Sequence, residues 1–333
     1  MPTKRFGPSA IAALQAALDG DQPMTIELEP GEYAIGPVAL KRSITLVGTK
    51  GASETVLRPG GDHELLAVYE GQGETVLRGL TLRGGRAPGG GALIVDGNAK
   101  VAVELCAFEE NTAGTIGGGA VHVGAQAAAS FTRCVFRGNR AELGGALATT
   151  FEGRIALDRC FLSGNEAQVG GAIAARERAT VTIASCTFVD NRARRTDGGG
   201  TLFLTGMKTR GPVVEMVNCL VTGERPLAHD PSRRGTLHLS SSVLPPNSVA
   251  PALAATTNGL FEVQADLVEV GGDLVALRAG APGSDAADLS RVTKSAIDLL
   301  GRPLVQDGRA DPGAIAGPRG APGRVGEFTS MQS

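Results

Sequence analysis

Two carboxylates are the first residues of this chain whose type and spacing could carry chemistry. Glu104 and Asp158 occupy equivalent positions in a repeated unit, two repeats apart. A glycosidase of the inverting type needs two carboxyls about 6.5–9.5 Å apart, one to protonate the glycosidic oxygen and one to activate water. If the repeats stack as strands, the two acids lie roughly 10 Å apart. They are either such an acid/base pair or two solvated surface acids.

A cluster of cations is the second candidate. The repeat that begins at residue 186 exceeds its neighbours in two loops, and the excess carries Arg194, Arg195, Asp197, Lys208 and Arg210. A lyase or C5-epimerase needs positive charge to neutralise a uronate carboxylate and a base for the α-proton. Insertions in a repeat protein usually map to a binding face. The cluster predicts a site for an anionic polymer or acidic partner, with Lys208 and Arg210 as candidate catalytic cations, or else a solvated basic edge.

A repeated unit must position these residues. Each copy has a cysteine, Phe or Leu two residues later, Asn five residues later, and then Gly-Gly-Ala or Gly-Gly-Thr; the copies begin at Cys106, Cys134, Cys160 and Cys186. Apolar residues alternate before each cysteine and after each Gly-Gly, which is typical of strands. No segment between them has helical spacing. The sequence predicts an all-β fold, a single-stranded right-handed parallel β-helix whose coils bury one another.

Stacked coils place equivalent residues in columns. The cysteines, with Cys219 added, are predicted to form a buried column rather than a metal site or disulfides, because five is odd and their spacing equals the repeat. The asparagines are predicted to lie at a bend, with amides bonding along the axis and a left-handed backbone. The four histidines have no metal-ligand spacing. No metal or cofactor is therefore predicted.

The strand after each Gly-Gly predicts a flat, almost uncharged outer face. Alternation along this strand places outward the residues Ala120, His122, Ala146, Ala172 and Phe203. A contiguous strip of this kind usually marks a contact. We expect residues after Pro246 or another protein chain to cover this small-residue face, by self-association or by binding a partner.

The two ends of the chain differ from the repeats. Residues 1–24 are predicted to form a cap with a helix over about 9–19, for which Ser9 is the N-cap. Coils are predicted over 25–245. Residues 246–333 are predicted to hold coil remnants and a Gly/Pro-rich tail, an irregular C-terminal segment.

Several segments resemble a known superfamily. Glu29-Pro-Gly-Glu-Tyr33 and Ser43-Ile-Thr-Leu-Val-Gly48 resemble the opening of pectate-lyase-like right-handed parallel β-helix proteins, and Leu300-Gly-Arg-Pro303 with Asp311-Pro-Gly-Ala314 is similar to the ending of bacterial relatives. The repeats are similar to the Cys-x-Phe…Asn…Gly-Gly-Ala units of polymorphic outer-membrane proteins. The resemblance implies the fold and leaves function open, because this superfamily holds lyases, hydrolases, epimerases, adhesins and phage tailspikes.

Charge and hydropathy restrict the partners and the location. A net charge of −2 gives no global attraction to nucleic acid, and no apolar run is long enough to predict a membrane span. The first residues lack the hydrophobic core of a signal peptide. This predicts a cytoplasmic protein as synthesised, or an extracellular or particle-associated one if it is exported by another route or a signal was removed.

The leading hypothesis is a non-enzymatic binding or structural module, part of a larger assembly such as a surface, virion or injection-system particle. The alternative is a polysaccharide lyase or epimerase that acts on an anionic, uronate-containing polymer. The first hypothesis predicts a partner on the small-residue face. The second predicts charged residues that converge in a groove beside the segment 186–218.

Overall fold

The chain winds into a column of coils whose strands stack into three parallel sheets. The structure is a computed structural model and describes residues 1–207, 210–233, 235–249, 254–271, 274–279, 281, 283–292, 297–306 and 309–316. Sheet 1 has eleven strands, sheet 2 has ten and sheet 3 has eight. Strands that are one repeat apart pair in parallel, so that Val101 lies beside Ala129 and Ala129 beside Ile155. The predicted parallel β-helix is confirmed.

Each coil runs through sheet 1, sheet 2 and sheet 3 in that order. The strands of sheet 1 are Thr3–Phe6, Met24–Leu28, Ile44–Gly48, Glu74–Arg78, Lys100–Glu104, Ala128–Thr132, Arg154–Asp158, Thr180–Ala184, Val213–Val217, Thr236–Ser240 and Ala254–Asn258. Those of sheet 2 are Gly31–Ile35, Thr55–Pro59, Thr81–Arg83, Ala107–Glu109, Val135–Arg137, Phe161–Ser163, Thr187–Val189, Leu220–Val221, Val243–Leu244 and Phe261–Glu262. Those of sheet 3 are Val38–Arg42, Leu66–Gln72, Leu93–Asp96, Val121–Val123, Leu147–Thr149, Ile173–Arg176, Leu202–Thr205 and Leu227–His229.

Few elements lie outside the three sheets. Two short parallel pairs form between sheets 2 and 3, Arg86–Ala87 with Thr112–Ala113 and Glu166–Ala167 with Arg192–Ala193. Near the C-terminus, Leu267–Gly271 pairs antiparallel with Leu274–Leu277, and a 3₁₀ turn spans Leu289–Arg291. The one α-helix of the described residues, α1, spans Ile11–Asp19.

Helix α1 covers the first coils. Its Leu14 and Leu18 are fully buried in the same core as the coil interior. The prediction of Ser9 as the N-cap is wrong, because the N-cap is Ala10, which makes no side-chain cap bond. At the other end, the buried Arg42 side chain donates to the carbonyl of Ala17 at 2.7 Å. This bond satisfies one of the carbonyls that a helix C-terminus leaves free.

The interior column of cysteines is confirmed. All five cysteines are buried and free. Burial raises the pKa of the Cys106 and Cys219 thiols to about 12, so these two remain protonated. One coil further on, Ser242 takes the cysteine position, and its hydroxyl accepts from the Cys219 backbone N–H at 3.0 Å. Beside the cysteines, the rings of Phe108 and Phe136 stack with centroids 4.9 Å apart.

The asparagines form a hydrogen-bonded ladder along the axis. The Asn139 amide nitrogen donates to Asn165 Oδ1 at 2.9 Å and to the Phe108 carbonyl at 3.0 Å, and its Oδ1 accepts from the backbone and side chain of Asn111. The predicted stacking of amides is therefore confirmed. The prediction of a left-handed backbone at these asparagines is wrong. Positive φ falls on the preceding residue instead, at Glu110, Gly138, Gly164 and Asp190.

The Gly-Gly pairs occupy a corner where backbones touch. A Cβ on Gly145 would lie 2.1 Å from the Gly171 carbonyl oxygen, and a Cβ on Gly144 would lie 1.9 Å from that of Leu147 and 2.9 Å from the Ala174 nitrogen. Contacts this short exclude every side chain. The turn thus folds closely against the first residues of sheet 3, and only glycine permits it.

The described residues of the C-terminal segment, which spans 263–316, fold back across the outer face of sheet 2. Leu299, Ala314 and Ile315 pack with Phe161, which points outward between a cysteine and a core leucine and is fully buried. A second contact joins Leu277 to Leu220 and Val243. Hydrogen bonds fix the register, from the Ala314 N–H to Thr187 Oγ1 at 2.8 Å and from the Gly313 N–H to the Asn218 carbonyl at 2.8 Å.

A buried carboxylate organises this segment internally. Asp298, whose side chain is completely buried, pairs with Arg302 at 2.8 Å and also accepts from the N–H groups of Leu300, Arg302 and Ala316. The motif that resembles the ending of bacterial β-helix proteins therefore has a structural role here, because its residues hold the C-terminal segment together. The last residues of the Gly/Pro-rich tail, 317–333, lie outside the described residues.

Candidate trough on the outer face of sheet 1

The outer face of sheet 1 is open along its middle strands. Its central column consists of small side chains that are exposed or half-buried, Ala102, Ser130, Ala156 and Thr182 in consecutive coils. These residues form the floor of a shallow trough, because a small side chain leaves the sheet surface accessible. One side of the trough is the turn from sheet 3 into sheet 1. At the other side, the C-terminal segment meets the corner between sheets 1 and 2, where Arg159 donates to the Ile297 carbonyl at 3.0 Å.

Two adjoining cavities lie in this trough. The larger, about 410 Å³, is lined by Glu152, Arg154, Arg178, Thr180, Arg210 and Gly211. The second, about 330 Å³, extends over the floor from Glu74 and Lys100 to Thr182. Both are open depressions rather than enclosed pockets, which suits a ligand that lies along the surface.

Cations dominate the turn side of the trough. Lys100, Arg154 and Arg210 are exposed, and none of them forms an ion pair with a carboxylate in the part of the chain that the structure describes. Arg178 is paired with Glu152 at 2.8 Å. The unpaired guanidinium groups therefore keep their hydrogen-bond donors free for a carboxylate or phosphate.

The structure places Glu104 and Asp158 in one column of sheet 1, with Thr132 between them. Their separation is therefore two strand spacings, about 10 Å, as predicted from the repeat. Each acid already has a cationic neighbour. Glu104 lies 3.8 Å from Arg78, and Asp158 forms a short ion pair with Arg159. This arrangement favours the interpretation as surface acids over a general acid/base pair.

The structure does not bring the predicted cation cluster together. Arg194 pairs with Glu166 at 2.6 Å, and Arg195 pairs with Asp197 at 2.8 Å. Both arginines precede the strand Leu202–Thr205, whereas Arg210 follows it and lines the trough. Lys208 lies outside the described residues. Arg210 thus joins Arg154 and Arg178, which the sequence analysis did not single out.

The pKa values of Glu166 and Asp197 are lowered, as expected for carboxylates that are paired with arginines. The Arg194 guanidinium lowers the pKa of Glu166 chiefly through its hydrogen bond, and Arg195 lowers that of Asp197 in the same way. Both acids are thus ionised and locally compensated. Arg194 and Arg195 consequently offer an anionic ligand less free charge than Arg154 or Arg210 does.

The prediction that the repeated alanines point outward is wrong. Ala120, Ala146 and Ala172 are completely buried and belong to the central hydrophobic core. The strict alternation of strands ends at the Gly-Gly corner, where the backbone turns sharply before sheet 3 begins. Residues on both sides of the corner therefore point inward.

His122 and Phe203 do lie on the outer face of sheet 3, but turns of the same chain cover much of that face. Phe203 is only 6% exposed and packs with Val169 and Ala228, against which Leu143 also packs. His122 is half-buried, its Nδ1 is inaccessible and has no hydrogen-bond partner among the described residues, and burial lowers its pKa. The described residues from 263 onward pack on sheet 2 and do not cover this strip. The last residues of the tail, which were also predicted to cover it, lie outside the described residues.

In the described ranges, no group of three or more His, Cys, Asp or Glu side chains is placed to hold a metal ion. No helix of those ranges is long and apolar enough to cross a membrane.

A sequence profile of the family described as "Right handed beta helix region" matches residues 67–241, more than half of the chain. This range includes all four clear repeats and most of the trough. No curated protein shows a significant match.

Three solved structures are similar to the chain in fold. A mannuronic-acid-specific polysaccharide family 6 lyase from human gut microbiota is 14% identical over 79% of this chain, with a TM-score of 0.42. The alginate lyase AlyF-OU02, in complex with G6, is 12% identical over 86% of this chain and 91% of its own, with a TM-score of 0.30. The pectin methylesterase from Yersinia enterocolitica is 13% identical over 80% of this chain and 85% of its own, with a TM-score of 0.28. The chain spans 59% of the length of the first lyase.

Proposed function

We propose that this chain, which belongs to the right-handed β-helix family, is a non-enzymatic module that binds an acidic polysaccharide along the outer face of sheet 1. The observation that carries the proposal is the row of cations beside an open floor of small residues. Lys100, Arg154 and Arg210 are exposed and without an ion-pair partner among the described residues.

The spacing of these cations suits an extended polymer. Lys100 and Arg154 occupy the same column two coils apart, roughly 10 Å along the axis. Arg178 and Arg210 follow at the turns of the next two coils, so charges recur over about four strand spacings. A ligand that repeats its own negative charge along a chain would meet several of them at once, which raises affinity without a deep pocket.

The floor favours a sugar polymer over a nucleic acid. Ser130, Thr180 and Thr182 present hydroxyl groups beside the cations, and Glu74 and Glu104 leave the face with mixed charge. Hydroxyls and mixed charge suit a ligand that carries both carboxylates and hydroxyls. Protein surfaces that hold single-stranded nucleic acid combine uniformly positive grooves with rows of aromatic rings.

Three acids in or beside the trough, Glu104, Glu152 and Asp158, are engaged with neighbouring side chains, which is why we propose binding without catalysis. Glu152 accepts from Gln126 at 3.1 Å and pairs with Arg178. Glu104 and Asp158 face Arg78 and Arg159. The alternative, a lyase or epimerase, would require a free base close to a cation that neutralises the uronate carboxylate. Glu74, beside Lys100 on the floor, is the candidate for that base, and the assay for unsaturated uronates tests it.

The structural role in an assembly loses its main support. It was predicted from a small-residue face that a partner would cover, and the alanines of that face lie in the core instead. The trough on sheet 1, in which both cavities lie, is the surface proposed for a ligand.

Titration of the protein with polygalacturonate, alginate and chondroitin at low and high salt tests the proposal. We expect binding that weakens steeply with salt, because the attraction is between exposed charges. Replacing Arg154 and Arg210 together by serine should weaken it about tenfold or more, since each charge contributes on the order of 1 kcal/mol.

The matched control replaces Arg194 and Arg195 by serine, because these arginines are paired with carboxylates away from the trough. This variant should bind nearly as well as the unmodified protein. Equal losses in both variants, or no binding to any of the three polymers, would refute the proposal. Formation of unsaturated uronates, followed by their absorbance, would establish a lyase instead.

A further inference from the structure

Phe151 is the most unusual residue beside the trough. It is 57% exposed, and its φ of +47° lies in the left-handed region. Bulky side chains rarely adopt this backbone conformation. The next residue, Glu152, is also left-handed at φ +66° and lines the larger cavity. An exposed aromatic side chain therefore lies in the turn that borders the trough, next to a residue that lines it, at a cost in both solvation and backbone strain.

The fold does not require a phenylalanine at this turn. The equivalent positions one coil before and one coil after are Ala125 and Glu177. Ala125 shows the same left-handed backbone at φ +37° and Glu177 at φ +58°. The turn accepts a small residue or a charged one in other coils, so its geometry is independent of the ring.

Neighbouring coils hold the Phe151 backbone rigidly. Its N–H donates to Glu177 Oε2 at 3.0 Å, and its carbonyl accepts from the Gln126 N–H at 3.0 Å. Gln126 also bonds Glu152 through its side chain. The left-handed conformation belongs to the repeated turn, and the exposed ring is the feature particular to this coil.

We infer that Phe151 is a specificity-determining contact that stacks on the apolar face of a pyranose ring while Arg154 and Arg210 hold carboxylates. The inference rests on the proposed function and names its ligand class, a polymer of uronic acid residues in pyranose form. A ring in the bordering turn and cations inside the trough together recognise a unit that has both a flat apolar face and an acidic group. An acidic peptide offers the charge and lacks the sugar ring.

The test compares variants at Phe151 by calorimetric titration with polygalacturonate oligomers. Phe151→Asn should lower the affinity about fivefold to tenfold, as expected from losing the burial of roughly half of a phenylalanine side chain. Asparagine tolerates the left-handed backbone, so the melting temperature should stay the same or rise. Phe151→Tyr keeps the ring and should keep the affinity.

Ile116→Asn is the matched control. Ile116 is 58% exposed and precedes sheet 3, whereas Phe151 follows it. The change should leave affinity unaltered. The salt dependence of binding should also be the same in Phe151→Asn as in the unmodified protein, because no charge changes, whereas Arg154→Ser with Arg210→Ser should reduce it.

Each outcome decides a different claim. If Phe151→Asn binds like the unmodified protein while the arginine variant is weakened, the stacking contact is wrong and the proposed function stands. If Phe151→Asn and Ile116→Asn lose affinity equally, the effect is not local and the inference is also wrong. If the unmodified protein does not bind the oligomers, both claims fall. Stronger binding to a single-stranded oligonucleotide than to the oligomers would overturn the ligand class.

Discussion

The outer faces of sheets 1 and 2 belong to the same coils, but one face is covered by the C-terminal segment and the other is open. On sheet 2 the outward residues of successive strands include Val135, Phe161 and Leu220, and the C-terminal segment packs over them. On sheet 1 the outward residues of the central column are small or polar, and this face stays open. The backbone of a β-helix thus leaves each face undetermined. The outward side chain of each strand decides whether the face is packed against another segment or exposed to solvent.

The two faces also differ in their use of charge. Over sheet 2 the Asp298 carboxylate is completely buried and fully bonded within the C-terminal segment. Along sheet 1 the cations Lys100 and Arg154 are exposed and unpaired among the described residues. A buried charge with several bonds fixes one structure. Exposed cations remain available to a ligand.

The largest expected effect comes from the covered face. Phe161→Ala should lower the free energy of unfolding by about 3–5 kcal/mol, because it leaves a cavity beneath the C-terminal segment. Thermal and denaturant unfolding measure the loss, and hydrogen exchange over residues 263–316 should increase. Phe151→Ala is the control, since the same atoms are removed from an exposed position and should cost less than about 0.5 kcal/mol. Equal costs would mean that the C-terminal segment does not cover Phe161.

Residues that recur at the repeat length predicted the interior of the coils well. Cysteines and asparagines that recur at the repeat length must stack in a solenoid, and the ladder from Asn111 to Asn191 follows that rule. The corners were harder to predict. Alternation across Gly-Gly predicts an outward Ala146, but a turn in which backbones touch reverses the direction of the next side chain.

The covered face had a signal that the sequence analysis did not use. The residue directly after each cysteine points outward, and Val135, Phe161 and Leu220 are too apolar for a solvated strand. The sequence pattern did not show which cations lie together in the folded chain. Arg195 and Arg210 are close in sequence but lie at opposite ends of one strand of sheet 3, whereas Arg154 and Arg210 meet only because coils stack.

A smaller effect is expected on the third face, from the pH response of His122. Burial lowers the pKa of its imidazole, opposed by Asp96 and assisted by Arg176. Just below about pH 6.5 the unfolded state therefore binds more protons than the folded state does. The contribution of His122 to the free energy of unfolding is fully present above about pH 6.5 and is lost as the pH falls below that value. His122→Gln should flatten this part of the stability curve.

His238→Gln is the control for this response, because His238 is exposed on sheet 1. It removes an imidazole without touching sheet 3, and the slope it gives is the reference for His122→Gln. If both variants retain the full slope, other groups cause the acid response, and His122 does not differ from a solvated histidine.

The smallest change in stability is expected on the open face. Ala156 is exposed between Ser130 and Thr182, on the same strand face as Arg154 and Asp158. Ala156→Lys should alter the free energy of unfolding by less than about 0.5 kcal/mol, because the new ammonium group stays in water. It should strengthen the binding of polygalacturonate and steepen its salt dependence, since it adds one cation to the trough.

Thr187→Lys makes the same kind of change on the covered face and completes the comparison. Thr187 is fully buried, and its hydroxyl accepts from the Ala314 N–H. A lysine there must either bury its charge or displace the C-terminal segment, so protease cleavage within residues 263–316 should appear. If Ala156→Lys destabilises the protein as strongly as Thr187→Lys, sheet 1 is covered in solution as sheet 2 is. Light scattering would then show whether a second copy of the chain covers it, and the trough could not be the polysaccharide site.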